Sequence, residues 1–158
     1  MSARTVGWVL VGVQAGLLAT LILLPERHDW PTPPAIEAMG VALVVAGVVG
    51  GFVAARRLGS ALTPTPEPRS GDRLRTDGLY AHVRHPIYTA VLVVVVGMVV
   101  RSGSLATAAV GLVTVVFFQL KARWEEARLR ARYADYDAYA ARTPRFVPRP
   151  PLAGRRND

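Results

Sequence analysis

Four blocks of apolar residues, separated by polar stretches, dominate the sequence. Three of the blocks are long: residues 6–24 and 102–120 each contain 19 residues without a charge, and residues 38–55 contain 18. The fourth block, residues 87–100, is shorter. A helix needs about 20 apolar residues to cross a hydrocarbon core of about 30 Å. The pattern therefore predicts an all-α integral membrane protein, a bundle of four transmembrane helices.

The short third block is preceded by a polar and aromatic stretch, residues 78–88, which contains two His, one Arg and two Tyr. The block reaches membrane length only if its helix begins near Arg84 or His85, which draws these side chains below the membrane surface. Ionisable groups at such depth are costly and tend to face a bundle interior, so they indicate a site. The alternative is that they anchor the helix end among the lipid headgroups.

A second polar cluster, Lys121, Glu125 and Glu126, follows the last apolar block. Lys121 and Glu125 are four residues apart and share a helix face with Arg128 and Arg132. Ion pairs along this helix would be an ordinary explanation for the two acids. A hairpin of the last two helices, however, brings the acids to the same membrane side as Arg84 and His85, which favours a shared site.

We expect one domain over residues 1–158. It comprises an N-terminal helical hairpin (1–57), a cytoplasmic loop (58–84), a catalytic hairpin with a C-terminal extension (85–148) and a flexible tail (149–158). Prolines at alternate positions within residues 63–68 exclude a helix there, and that loop could be either a linker or a lid.

The last transmembrane helix is expected to continue into the cytoplasm as a polar helix to about Tyr139, before Pro144 and Pro148. Tyr133, Tyr136 and Tyr139 recur at a spacing of three along this extension. Such a stripe is typical of packing or of the membrane interface.

The distribution of charge predicts the orientation. Residues 56–84 carry six Arg against three acids, and the stretch from residue 121 onward carries ten Lys and Arg against five acids. The positive-inside rule places this loop and both termini in the cytoplasm of a multi-pass plasma membrane protein. Cytoplasmic basic loops and their attraction to anionic lipid explain the net charge of +8. The sequence has no nucleic-acid-binding motif, so we do not expect a nucleic acid partner.

The sequence has no Cys and only three His, so we expect no metal site. The two polar clusters instead predict a site at the cytoplasmic end of the last hairpin, with aromatic rings and carboxylates and with access from cytosol and lipid. Such a site suits a cationic soluble cofactor and an amphiphilic acceptor. Aromatic faces bind cations such as sulfonium. The reaction would then be transfer of a methyl group held in line with a nucleophile.

Five segments together resemble the isoprenylcysteine carboxyl methyltransferase family, integral membrane enzymes related to phospholipid methyltransferases. The segments are Thr-Asp-Gly-Leu-Tyr (76–80), Val-Arg-His-Pro-Ile-Tyr (83–88), Glu-Glu (125–126), Tyr-Ala-Asp-Tyr (133–136) and Arg-Thr-Pro-Arg-Phe-Val-Pro (142–148). The resemblance covers about residues 70–148. It implies that S-adenosyl-L-methionine donates a methyl group, with O-methyl transfer favoured, to a lipid or amphiphilic acceptor at the cytoplasmic membrane face.

The same resemblance implies roles for individual residues. Arg84, His85 and Glu125 would be catalytic. Lys121 would bind the acceptor, at a position where the family usually has Arg. The cofactor would be bound by Leu74, Arg75, Tyr80, His85, Pro86, Ile87, Tyr88, Glu125 and Glu126.

Two other functions stay open at this point. Membrane sterol reductases share a similar Tyr-x-x-x-Arg-His-Pro-x-Tyr element, so the chain could be an NADPH-dependent reductase. It could also be a non-catalytic membrane module. The Glu pair and the Pro-Arg-Phe-Val-Pro segment favour the methyltransferase.

Overall fold

A computed structural model describes residues 2–25, 27, 29–59 and 74–148. The described chain forms five α-helices: α1 (Ala3–Leu23), α2 (Pro34–Leu58), α3 (Pro86–Ser102), α4 (Leu105–Arg132) and α5 (Tyr136–Arg142). A 3₁₀ turn, Gly78–Ala81, precedes α3. The Pro-rich segment 63–68 and the tail 149–158 lie outside the described residues. The expected all-α architecture is confirmed for the described part of the chain.

Local sequence signals set the helix ends. Ser2 and Ser104 cap α1 and α4, each accepting a hydrogen bond from the backbone N–H three residues later. Pro34 and Pro86 occupy the first positions of α2 and α3, where a missing N–H costs nothing. Gly103 ends α3 with φ = 55°, a left-handed conformation that favours glycine.

Three helices, α1, α2 and α4, are long and apolar enough to cross a membrane. The fourth apolar helix, α3, has only 17 residues and begins immediately after His85. At 1.5 Å per residue it is about 26 Å long, which is near the lower limit for a span. A multi-pass membrane protein is therefore supported, and the count of four spans stays a prediction.

The most extensive helix–helix interface joins α2 to α3, and glycines make it close. A Cβ on Gly47 would lie 2.7 Å from the Ala90 carbonyl oxygen, and a Cβ on Gly97 would lie 2.6 Å from the Gly40 carbonyl oxygen. Small residues allow backbones to approach in this way where no hydrophobic effect drives association in lipid. This interface fixes the start of α3, where the polar cluster lies.

At the opposite end of the bundle, the loop after α1 meets the α3–α4 turn. The Gly103 carbonyl accepts from Asp29 N–H at 2.8 Å, and the Asp29 carboxylate accepts from Leu105 N–H at 2.7 Å. Gly103 and Ser104 form the tight turn between α3 and α4. Helix α4 packs on α3 and on α1, so the last hairpin is antiparallel and its open end gathers the two polar clusters.

One expectation about α4 is wrong. The helix does not continue to Tyr139: it ends at Arg132, and a short helix, α5, follows from Tyr136. Tyr133 adopts an extended conformation, and the Tyr136 N–H donates to the Tyr133 carbonyl across the turn. The bend lets Tyr136 and Tyr139 bury their rings, with 1% and 3% of their surface exposed. Burial of two aromatic side chains outweighs the small gain of extending an exposed helix.

Candidate functional site

Glu126 is the centre of the polar cluster at the open end of the hairpin, and its side chain is completely buried. Its Oε1 accepts from Arg84 Nε at 3.1 Å and Nη2 at 3.0 Å. Arg145 donates from Nε to Oε1 at 2.8 Å and from Nη2 to Oε2 at 2.7 Å. His85 Nε2 lies 3.2 Å from the same Oε1. Two guanidinium groups therefore neutralise this carboxylate, and hydrogen bonding to Glu126 raises the pKa of Arg145.

The ion pairs at Glu126 hold the C-terminal segment, residues 143–148, against the start of α3. Arg84 Nη1 donates to the carbonyls of Ala140 at 2.8 Å and Thr143 at 2.5 Å. The backbone N–H groups of Arg84 and His85 donate to the carbonyls of Pro144 and Arg145. The Pro-Arg-Phe-Val-Pro segment is thus an integral wall of the site.

Glu125, the adjacent acid, has different surroundings. The Tyr88 hydroxyl donates to its Oε1, and His85 Nδ1 lies 3.6 Å from its Oε2. Within the described residues no guanidinium group contacts it, although only 9% of the residue is exposed. Glu125 is therefore held by a phenol and an imidazole, whereas Glu126 is held by two guanidinium groups.

His85 and Tyr88, the two rings that contact this carboxylate, pack against further aromatic rings. The His85 and Tyr88 rings are stacked with an interplanar angle of 2°, and Tyr88 packs on Phe118 with ring centroids 4.9 Å apart. Phe146 of the C-terminal segment is 5.9 Å from His85. Phe118 and Phe146 are buried behind this stack, so the half-buried Tyr88 is the ring that offers a π-face to a cation next to the carboxylate.

Tyr80 lies at the rim, where its backbone carbonyl accepts from the Tyr139 hydroxyl at 2.6 Å. Burial raises the pKa of the Tyr80 phenol to about 12, and the neighbouring Glu125 charge acts in the same direction. Burial also raises the pKa of Tyr139. Both phenols are therefore neutral hydrogen-bonding groups at physiological pH.

Lys121 lies one turn before Glu125 and is only 4% exposed. Its Nζ donates to Gln14 Oε1 of α1 at 2.6 Å and is 5.0 Å from the centre of the Tyr88 ring. The acceptor-binding residue expected from the sequence therefore lies next to the Tyr88–Glu125 pair, between α4 and α1.

The structure thus brings together Arg84, His85, Tyr88, Glu125 and Glu126, with Lys121 beside them and Tyr80 at the rim. Pro86 is buried and Ile87 half-buried in the first turn of α3. Leu74 is half-buried, whereas Arg75 is exposed and pairs with Asp77 at 4.0 Å. Arg75 still acts on the site at a distance, since its charge lowers the pKa of Tyr80.

Glu125 and Glu126 do not form the ion pairs along α4 that were the alternative explanation for them. Glu126 pairs with Arg84 and Arg145, which are 42 and 19 residues away in sequence. Arg130, four residues after Glu126, instead pairs with the exposed Asp137 at 2.8 Å.

Two residues of this cluster had no role assigned from the sequence: Gln14 and Arg145. Gln14 could have been found as a polar side chain inside an apolar block. Arg145 was part of the recognised motif, but its pairing with Glu126 depends on how the chain folds back. The Tyr136 hydroxyl is buried and has no hydrogen-bond partner within the described residues.

Among the residues that the structure describes, no three His, Asp or Glu side chains are placed to hold a metal ion.

Comparison with known proteins identifies the family. The sequence pattern of the phospholipid methyltransferase family matches residues 36–136, which contain α3, α4 and nearly all of α2, whereas α1, α5 after Tyr136 and the C-terminal segment lie outside the match. This family belongs to the superfamily of integral membrane methyltransferases that resemble isoprenylcysteine carboxyl methyltransferase.

Two curated proteins are also similar to the chain. Cobalt-zinc-cadmium resistance protein CzcN of Cupriavidus metallidurans is 31% identical over 138 residues, which cover 84% of this chain and 59% of that protein. Nickel-cobalt-cadmium resistance protein NccN of Alcaligenes xylosoxydans is 34% identical over 82 residues, covering 51% of this chain and 38% of that protein. The chain thus spans less than two thirds of the length of either relative. It belongs to the phospholipid methyltransferase family of membrane methyltransferases.

Proposed function

We propose that this protein transfers a methyl group from S-adenosyl-L-methionine to an amphiphilic acceptor at the cytoplasmic face of the plasma membrane, with both termini in the cytoplasm. The observation that carries the proposal is that two adjacent buried acids have different bonding partners. Glu126 is neutralised by Arg84 and Arg145, whereas Glu125 is bound by a phenol and approached by an imidazole.

The residues around Glu125 fit the cofactor. S-adenosyl-L-methionine carries a sulfonium cation and an amino group, and it supplies an electrophilic methyl group when bound. The carboxylate of Glu125 is available to an ammonium, and the half-buried ring of Tyr88 beside it offers a π-face to a sulfonium. Tyr80, Pro86 and Ile87 complete the side of the site next to α3, and Leu74 and Arg75 approach it from the loop.

In this proposal the residues of the cluster act by binding and orienting. Arg84 and Glu126 join α3, α4 and the C-terminal segment, so they set the distance between His85 and Glu125. His85 lies between both acids, with Nδ1 toward Glu125 and Nε2 toward Glu126. Either nitrogen can donate its proton to the carboxylate that it faces, which fixes the ring plane against Tyr88.

The acceptor would approach from the lipid, on the side of Lys121. A buried ammonium attracts an anionic acceptor and repels a cationic one. This favours O-methyl transfer to an ionised oxygen, which needs no protein base and only in-line positioning. It also gives Lys121 the task that the family usually assigns to Arg.

The test combines binding with product identification. Purified protein in detergent should bind S-adenosylhomocysteine by calorimetry, and His85→Ala and Glu125→Gln should each weaken binding at least tenfold. Asp137→Asn, which removes an exposed carboxylate from an Arg pair, is the matched control and should bind like wild type. Labelled methyl transfer into a total lipid extract should then yield a methylated amphiphile.

The same assay distinguishes the alternatives. Binding of NADPH in place of S-adenosylhomocysteine would identify a reductase, and binding of neither would identify a non-catalytic module. Because the names of both curated relatives refer to metal resistance, growth of a cobalt- and cadmium-sensitive host is a useful further readout. Wild type should improve growth where Glu125→Gln does not.

A further inference from the structure

Lys121 is the only lysine of the sequence; the other 18 of its 19 basic Lys and Arg residues are arginines. It is also among the buried charged residues of the described chain. Arginine is held by several fixed hydrogen bonds, whereas a lysine ammonium is a compact charge on a flexible stem that can choose between partners. The position of the Lys121 ammonium therefore depends on which partner is offered to it.

Two partners are within its reach. Glu125 lies four residues further along α4, at the spacing that lets helix side chains pair. Gln14 lies on α1 and accepts from Nζ at 2.6 Å. In the described part of the chain, the ammonium bonds to this amide and to no carboxylate.

Gln14 is unusual in its own helix. It is a half-buried amide in the middle of α1, a helix of membrane-spanning length. Thr20, another polar residue of α1, is different because its hydroxyl bonds back to the Gly16 carbonyl of the same helix at 2.8 Å. Polar side chains inside a span generally bond across helices, and among the described residues Gln14 does so with Lys121.

An ion pair between Lys121 and Glu125 would harm the proposed site. It would neutralise the carboxylate that we assign to the cofactor, and it would withdraw the ammonium that we assign to the acceptor. In a poorly solvated environment the attraction between the two charges is strong, so a competing partner is needed to keep them apart.

We propose that Gln14 is a positioning residue that holds the Lys121 ammonium on the α1 side, away from Glu125. The two charges then remain separate, with the acid facing the cofactor and the cation facing the acceptor. The inference rests on the proposed function and adds a residue from the first helix to it.

The proposal predicts a specific pattern of cofactor affinity. Gln14→Leu should weaken S-adenosylhomocysteine binding about tenfold, although Gln14 does not touch Glu125, because the released ammonium pairs with that acid. The double variant Gln14→Leu/Lys121→Met should restore cofactor affinity to within twofold of wild type, while the acceptor KM remains raised. Gln14→Glu supplies another acceptor for the ammonium and should bind the cofactor like wild type.

Two further variants control for folding. Thr20→Val removes a polar group from α1 that has no part in the pairing and should leave cofactor affinity and acceptor KM unchanged. Gln14→Met has nearly the shape of Gln14 and replaces Gln14→Leu if that variant does not fold. Cofactor affinity equal to wild type in either apolar variant, or no recovery in the double variant, would overturn the proposal.

A second readout separates this inference from the proposed function. Because the chain has one lysine, selective ¹⁵N-lysine labelling gives a single side-chain Nζ signal in NMR spectra. Gln14→Leu should shift that signal. The size of the shift should change when Gln14→Leu is combined with Glu125→Gln, because the released ammonium then has no carboxylate to pair with. If wild type binds no S-adenosylhomocysteine, the proposed function fails, whereas an Nζ signal unmoved by Gln14→Leu refutes the positioning role whatever the cofactor does.

Discussion

Replacing Glu126 with Gln tests the central ion-pair cluster most directly. The substitution preserves the shape of the side chain but removes its charge and exchanges one carboxylate oxygen for an NH₂ group. Because Oε1 and Oε2 both accept from Arg145, at 2.8 and 2.7 Å, one of these contacts becomes donor against donor. Two buried or half-buried guanidinium groups then lose their counter-charge.

The size of the effect follows from burial. The Glu126 side chain has 0% exposure, and the side chains of Arg84 and Arg145 have 11% and 26%. Breaking a buried ion pair by removing one partner costs about 3–5 kcal/mol, since it leaves an uncompensated charge. For a chain of this size that corresponds to a decrease of roughly 10 °C in Tm. An exposed pair of the same type contributes at most about 1 kcal/mol.

The chain contains a matched control in Arg130 and Asp137, which are 2.8 Å apart but have side-chain exposures of 45% and 78%. Thermal unfolding in detergent, followed by near-ultraviolet circular dichroism, should show a large decrease in Tm for Glu126→Gln and almost no change in Tm for Asp137→Asn. Limited proteolysis should also cut residues 143–148 sooner in Glu126→Gln, because that segment is tied to Glu126 through Arg84 and Arg145. Equal melting temperatures for the two variants would show that the buried cluster does not hold the C-terminal segment.

Two further substitutions test packing and burial. Gly47→Ala should destabilise the bundle by about 1–3 kcal/mol through overpacking against Ala90 and Val94, whereas Gly12→Ala, with open space around it, should be neutral or slightly stabilising in the same unfolding assay. Tyr136→Phe should raise stability at pH 7 by about 1 kcal/mol because it removes a buried hydroxyl without a partner in the described chain. Burial raises the pKa of Tyr136 from 10.0 to about 12, so the phenol ionises first in the unfolded state as pH rises from 10 to 12. Wild type should therefore lose more stability than Tyr136→Phe in that range.

The spans could be predicted because they depend on local composition. Apolar blocks at residues 6–24, 38–55 and 102–120 correspond to α1, α2 and α4, and the short block before residue 100 corresponds to α3. Proline at the first turn of α3 and glycine after its last residue mark its ends in the sequence.

The end of α4 could not be predicted in this way. Residues 121–139 have the composition of a continuous polar helix, and nothing local at Tyr133 requires a break. The break becomes favourable only because Tyr136 and Tyr139 find buried positions beside the start of α3. That gain depends on residues more than 50 positions away, such as Tyr80, whose carbonyl accepts from Tyr139.

The two acids show the same limit for the site. The sequence placed Glu125 and Glu126 together near Arg84 and His85, and the structure agrees, but adjacency in sequence gave no reason to distinguish the two acids. Successive residues of a helix point about 100° apart, so one acid faces Arg84 and Arg145 while its neighbour faces Tyr88. A single helix position therefore separates the carboxylate that holds the fold together from the one that we assign to the cofactor. Glu125 could take the place of Glu126 only if α4 rotated about its axis. The pairing of Glu126 with Arg84, before α3, and with Arg145, after α5, opposes that rotation.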